Sequence, residues 1–184
     1  IKASIWDFVL LLGSDDYLYD DILSKFNRYI NQMIFYKYIP IEKMNIYWDA
    51  VIYWSDRDYT LERKVPMREF SRYNLIKYGN MIGFQNIFLN STWVRENSID
   101  ETKKYAMDYE YYFKMLDARQ SFIYLPEIFT INYHGNNTSV RDWYKSSKES
   151  IKIAWEQNIT IIGGIYIFRR FFLLMILRVR SLFF

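Results

Sequence analysis

The chain contains no cysteine and a single histidine, His134. The first absence excludes a disulfide framework and any thiolate metal site, and the second excludes a histidine-rich metal centre built within this chain. No secretory pattern of basic start, apolar middle and small-residue cleavage site opens the sequence. The longest uninterrupted apolar stretch near the carboxyl end, Phe171 to Leu177, is far shorter than the roughly 20 residues that cross a bilayer. No repeat, low-complexity linker or internal boundary interrupts the chain.

Charge of one sign is also scarce outside one segment. The formal net charge is +3, but Arg169, Arg170, Arg178 and Arg180 all lie in the last sixteen residues, and without them 20 basic residues face 21 acidic ones. The basicity belongs to a tail, which argues against a nucleic-acid groove spread over the fold.

What is present is a chain of 184 residues, 51% apolar and 24% charged, long enough to bury a proper core as one domain. Aromatic residues reach 21%, with 18 Tyr and 14 Phe. They can stack on sugar rings, and a general bias towards Ile, Lys, Asn and Tyr accounts for the same numbers.

Phe8 to Leu12 is a short apolar run of the kind that suits a strand buried on both faces of a parallel sheet. Acidic Asp20-Asp21 precede Ile22, Leu23, Phe26, Tyr29 and Ile30 at helical spacing. Ala50 to Trp54 predicts a second strand, Ser55 to Ser71 a surface excursion, and Met81 to Leu89 a third strand. Met107 to Ala118 and Val140 to Asn158 carry helical patterns. Phe122 to Leu125 and Ile128 to Tyr133 read as two short strands around Pro126. Alternating strands and helices predict an α/β fold.

Two acidic clusters stand out. Asp15 and Asp16 follow the apolar run at the expected carboxyl edge of a sheet, where ligands bind in open α/β folds. Paired carboxylates there suit a hard cation such as Mg2+ or Mn2+ bridged to phosphate oxygens, and adjacent Asp residues equally make turns. Asp108, in Ala106-Met107-Asp108-Tyr109-Glu110, opens a helix. It can accept a proton as a general base or cap the helix through the Tyr109 and Glu110 amides. A helix N-terminus lowers a carboxyl pKa, whereas a base working at neutral pH prefers a raised one.

Leu10-Leu11-Leu12-Gly13-Ser14-Asp15-Asp16-Tyr17-Leu18, then Met81-Ile82-Gly83-Phe84-Gln85, then Ser98-Ile99-Asp100-Glu101 with Asp108-Tyr109-Glu110, then Tyr133-His134-Gly135-Asn136, together resemble family 2 glycosyltransferases over residues 1–158. Gly13 and Phe84 depart from the family's usual residues. The resemblance implies a GT-A type Rossmann-like sheet, here N-terminally truncated because the nucleotide-binding units of the family would precede Ile1. It implies Asp15 as metal ligand for Mg2+ or Mn2+. Asp16, Gln85 and His134 would contact the nucleotide-sugar donor, and Asp100, Glu101, Tyr109 and Glu110 would line the acceptor site. Asp108 becomes the catalytic base of an inverting transfer to a glycan or lipid-linked acceptor, as in surface polysaccharide assembly.

Residues 159–184 are apolar with Arg as the only charged residue. At helical spacing Phe171, Phe172, Met175, Ile176, Val179, Leu182 and Phe183 share one half, with the Arg residues opposite. This amphipathic tail predicts a membrane-interface helix, and hence a cytoplasmic protein peripheral to the inner face of the membrane. A core helix or a homo-oligomer contact would use the same pattern. A metal-dependent phosphoester hydrolase or nucleotidyltransferase, and a non-catalytic membrane adaptor on a degenerate transferase fold, are the other functional classes compatible with these residues.

Overall fold

The computed structural model describes residues 7–13, 16–37, 40–54, 59–63, 69–80, 82–134 and 142–157, and helical residues 164–166, 168–169, 171–173 and 175–176. Asp15 therefore lies outside the described residues, as does the side chain of His134. The fold is α/β, and it divides into two compact units, each drawn from separate stretches of sequence.

The first unit, within Ile1–Met67, Ile82–Ser98 and Asp117–Gly135, holds the sheet. Its elements are β1 (Phe8–Val9), β2 (Tyr17–Leu18), α1 (Ile22–Lys37), β3 (Met44–Trp54), β4 (Tyr59–Arg63), β5 (Ile87–Asn90), a short helix (Ser91–Glu96) and β6 (Ser121–His134). The strand order is β1-β5-β3-β6-β2, with β4 also paired to β3. Among the described residues only the β3–β6 pair is parallel; β1–β5, β2–β6, β3–β4 and β3–β5 are antiparallel.

Period-two alternation along β3 turns Met44, Ile46 and Trp48 to one face. There they join Ile22, Phe26 and Ile30 of α1 in a core with Phe88, Leu125 and Phe129. Aromatic packing centres on Phe88, whose ring centroid is 3.9 Å from Phe26 and 5.0 Å from Trp48. Of the apolar positions expected on α1, Ile22, Phe26 and Ile30 are buried and Tyr29 is half-buried, whereas Leu23 is exposed and lies off the core face.

Several expectations are corrected here. The Phe8–Leu12 run contributes only Phe8–Val9 to the sheet, half-buried and antiparallel to β5, so it is not a parallel strand covered on both faces. The excursion from Ser55 to Ser71 contains β4, which pairs with β3 from Ala50 to Trp54. The Met81–Leu89 strand begins at Ile87, because a 3-10 turn occupies Phe84–Asn86.

The two strands around Pro126 are one continuous β6. Along β3, Trp48 pairs with Leu125 and the next residue, Asp49, pairs with Ile128. Pro126 and Glu127 fall in the register shift, where a residue without an N–H costs no ladder bond.

The second unit, within Arg68–Met81, Ile99–Leu116 and Asn136–Phe184, is helical. It contains α2 (Arg72–Tyr78), α4 (Met107–Asp117, counting the short helix of the first unit as α3) and α5 (Trp143–Trp155). Leu75, Tyr109, Tyr111, Tyr112, Phe113, Met115, Ile153 and Ala154 are buried. Edge-to-face pairs Phe70–Tyr112 and Tyr109–Phe113, at 5.3 and 5.0 Å between centroids, fix ring orientations. Among the described residues no helix is long and apolar enough to cross a membrane.

Candidate functional site

The site begins at the end of α2. Ser71 caps that helix by accepting from the Asn74 N–H at 3.3 Å. At the other end Gly79 donates its N–H to Leu75 O at 2.9 Å with φ 81° and ψ −162°, a backbone region that residues other than glycine rarely adopt. The turn at Gly79 delivers Asn80. Its Nδ2 donates to Asp108 Oδ2 across 2.5 Å.

Asp108 sits in the first turn of α4. Its Oδ1 accepts the Tyr109 N–H at 2.8 Å. Part of the residue remains open to solvent, yet its carboxyl group is densely surrounded by protein, and burial pushes its pKa up to about 6. The hydrogen bonds from the Tyr109 amide and Asn80 act in the opposite direction and do not outweigh it. The competition between helix-terminal stabilisation and desolvation is thus won by desolvation. The Tyr112 phenol, buried and repelled by the charge on Asp108, is held well above its ordinary pKa, so it stays protonated.

The entrance to α4 is capped by a residue from a distant helix. Glu149 of α5 accepts the N–H of Lys104 on Oε1 at 3.2 Å. Its Oε2 takes the N–H of Tyr105 at 2.7 Å and of Ala106 at 2.8 Å. A carboxylate is well matched to the positive end of a helix. Tyr105 Oη also donates to Asp142 Oδ2 at 3.2 Å. Since Glu149 serves the amides of residues 104–106, Asp108 gives one oxygen to its own neighbour and one to Asn80.

The remaining named residues of this unit divide by exposure. Tyr109 is fully buried, and its hydroxyl donates to Leu75 O at 2.7 Å; it ties α4 to α2 and has no surface to offer a ligand in this conformation. Glu110 lies 3.6 Å from Lys114 one turn on. Asp100 accepts from both the N–H and the hydroxyl of Thr102, at 2.9 and 2.7 Å, and these bonds hold its carboxyl below the usual range. Glu101 is exposed.

In the first unit, Asp16 is half-buried and donates its N–H to Gly13 O at 3.3 Å. Gln85, in the 3-10 turn before β5, folds its amide over the α-carbon of Gly83, where a Cβ would displace it. His134 is the last residue of β6, level with Trp54 of β3.

Two carboxylates side by side in sequence, Asp15 and Asp16, are hard oxygen donors and fit Mg2+ or Mn2+ in kind. Among the described residues no three potential ligands converge, and Asp15 is not one of them.

Asn80 and Glu149 are site residues that the sequence reading missed. Asn80 had a local signal, the Gly79-Asn80 pair that closes a helical stretch. Glu149 had none, since the amides it caps lie more than forty positions away. No protein-family model matches the chain, and no curated protein matches it.

Proposed function

We propose that this protein is a metal-dependent inverting glycosyltransferase of GT-A type, moving a sugar from a nucleotide-diphosphate sugar to a glycan or lipid-linked acceptor at a membrane surface. The observation that carries the proposal is the buried Asp108 carboxyl, with a pKa near 6 and a fixed orientation. A base of that strength is largely ionised at neutral pH and still basic enough to take a proton. The α/β class of the fold and the order of the acidic motifs support the same reading.

In the proposed reaction an acceptor hydroxyl oxygen attacks the anomeric carbon as its proton passes to Asp108. The new C–O bond forms as the bond to the nucleoside diphosphate breaks, which inverts the configuration. Asn80 and the Tyr109 amide hold the carboxylate in place. Asp15, with Asp16 beside it, would hold the divalent ion, whose chemistry is to offset charge on a departing diphosphate.

The test is Asp108→Asn, with transfer measured from a panel of nucleotide sugars in the presence of Mn2+ and donor binding measured by calorimetry. Loss of turnover with donor binding kept supports the assignment, and near-normal turnover places the base elsewhere. The exposed apolar residues at the carboxyl end favour a second reading, a non-catalytic membrane adaptor. That protein would bind vesicles and show no metal-dependent binding of nucleotide sugars.

A further inference from the structure

A cavity of about 680 Å³ opens in the helical unit, between α5 and the carboxyl-terminal helical residues. Its size is that of a ligand pocket, for which roughly 300–1,000 Å³ is usual. Tyr144, Ile151 and Trp155 line it from α5, and Phe171 and Met175 from the tail. Lys145, Lys148 and Lys152 line it too. Their spacing of three and four residues sets them in one row along α5.

These lysines are not equally committed. Lys145 bonds to Asp142 at 3.0 Å, and Lys152 lies 3.9 Å from Glu156. Lys148 has no ion pair among the described residues and is exposed. Two acids also line the cavity: Glu156 faces Lys152, and Glu149 is engaged by three backbone amides. The apolar surface continues outward from the cavity. Trp155, Phe168 and Phe172 are 66%, 70% and 57% exposed, with Arg169 exposed among them. An apolar cavity, the Lys148 ammonium at its rim and an apolar, Arg-bearing helix beside it match a lipid with a hydrocarbon chain and an anionic head.

We infer that this cavity takes an acyl chain of an anionic phospholipid, with its phosphate on Lys148. The inference extends the membrane-surface part of the reading above and does not depend on the transferase part. It changes the nature of the membrane contact, from adsorption of an amphipathic helix to capture of an individual chain beside Trp155.

The experiment uses the full chain with vesicles of phosphatidylcholine, alone or mixed with phosphatidylglycerol brominated on its acyl chains. Trp155 emission is taken as the difference between the chain and its Trp155→Phe variant. Expected are co-sedimentation with the mixed vesicles, quenching of Trp155 by the brominated chains, and binding weakened roughly tenfold by the surface change Lys148→Glu. Ile151→Trp, which fills the cavity, should leave the chain on the vesicles with Trp155 emission unquenched. Vesicle binding in which Trp155 is never quenched overturns the cavity assignment while leaving the membrane reading in place. No vesicle binding at all overturns both. Concentration-dependent dimerisation that shields Trp155 without lipid assigns the cavity to a second copy of the chain and also overturns the inference.

Discussion

The side-chain amide of Asn80 reaches Asp108 Oδ2 across 2.5 Å, and this bond favours the charged form of a carboxyl that burial otherwise drives towards neutrality. Asn80→Ala removes that support. The Asp108 pKa should then rise above its value of about 6, by up to roughly one unit. If Asp108 is the base, the acid limb of the pH profile of kcat/KM moves to higher pH by the same amount, and turnover above that limb is little changed. A profile that keeps its midpoint would show that the group titrating in catalysis is not Asp108.

Asp108→Asn should stabilise the fold while removing activity. The folded carboxyl titrates near 6 and its ordinary value is 3.8, so between these limits the folded state binds more protons than the unfolded chain. Stability therefore falls as pH rises through that window. Below it both states are protonated and the cost vanishes; above it the fold carries the full burial cost, on the order of 1 to 3 kcal/mol. The Asn variant should melt higher than the parent at pH 7.5 and level with it near pH 4, and turnover should drop by about 10² to 10⁴-fold. Equal melting at both pH values would mean that the carboxyl is better solvated than its surroundings indicate.

Thr130→Val tests the sheet. The Thr130 hydroxyl accepts from Trp48 Nε1 at 3.2 Å and donates to Asn86 Oδ1, with all three residues buried. Valine keeps the shape and leaves an indole N–H and an amide oxygen facing an apolar group. The expected loss in urea unfolding is about 2 to 4 kcal/mol with an unchanged m-value. In a Trp48→Phe background the same change should cost less, because one of the two orphaned groups is already gone.

The sequence spoke plainly where side chains meet near neighbours. Ile22, Phe26 and Ile30 announce α1, and Met107 to Leu116 announce α4, because a helix buries residues three and four apart. It misled where a polar residue finds its partner far away. The strand expected from Ala50 already begins at Met44, and Asn45 and Asp49 are buried within it. Asn45 donates to Ser121 O at 3.2 Å and accepts the Asn90 N–H at 2.9 Å, and Asp49 accepts from the Tyr124 hydroxyl at 2.8 Å. Pro126 reads as a strand end for the same reason, since only the register of β3 shows the shift that accommodates it. In the candidate site, Asp108 was legible through its motif and its place in the first turn of α4. Its elevated pKa was not, because it depends on the protein packed around the carboxyl.

Glu149 offers a further test of how that site is held. Its carboxylate gathers the N–H groups of Lys104, Tyr105 and Ala106, which lead directly into α4, two residues before Asp108. An anion at this position satisfies donors that a helix entrance otherwise leaves to water, and it also benefits from the helix dipole. Glu149→Gln retains one acceptor oxygen and loses the charge, so it should cost about 1 kcal/mol; Glu149→Ala loses the whole cap and should cost about 3 kcal/mol. Amide hydrogen exchange should quicken at residues 104–106 in both variants while the middle of α5 stays protected. With the entrance loosened, Asp108 is held less firmly, so kcat should fall with little change in KM for the donor. Uniform acceleration of exchange across α5 would instead show that Glu149 supports its own helix rather than the approach to Asp108.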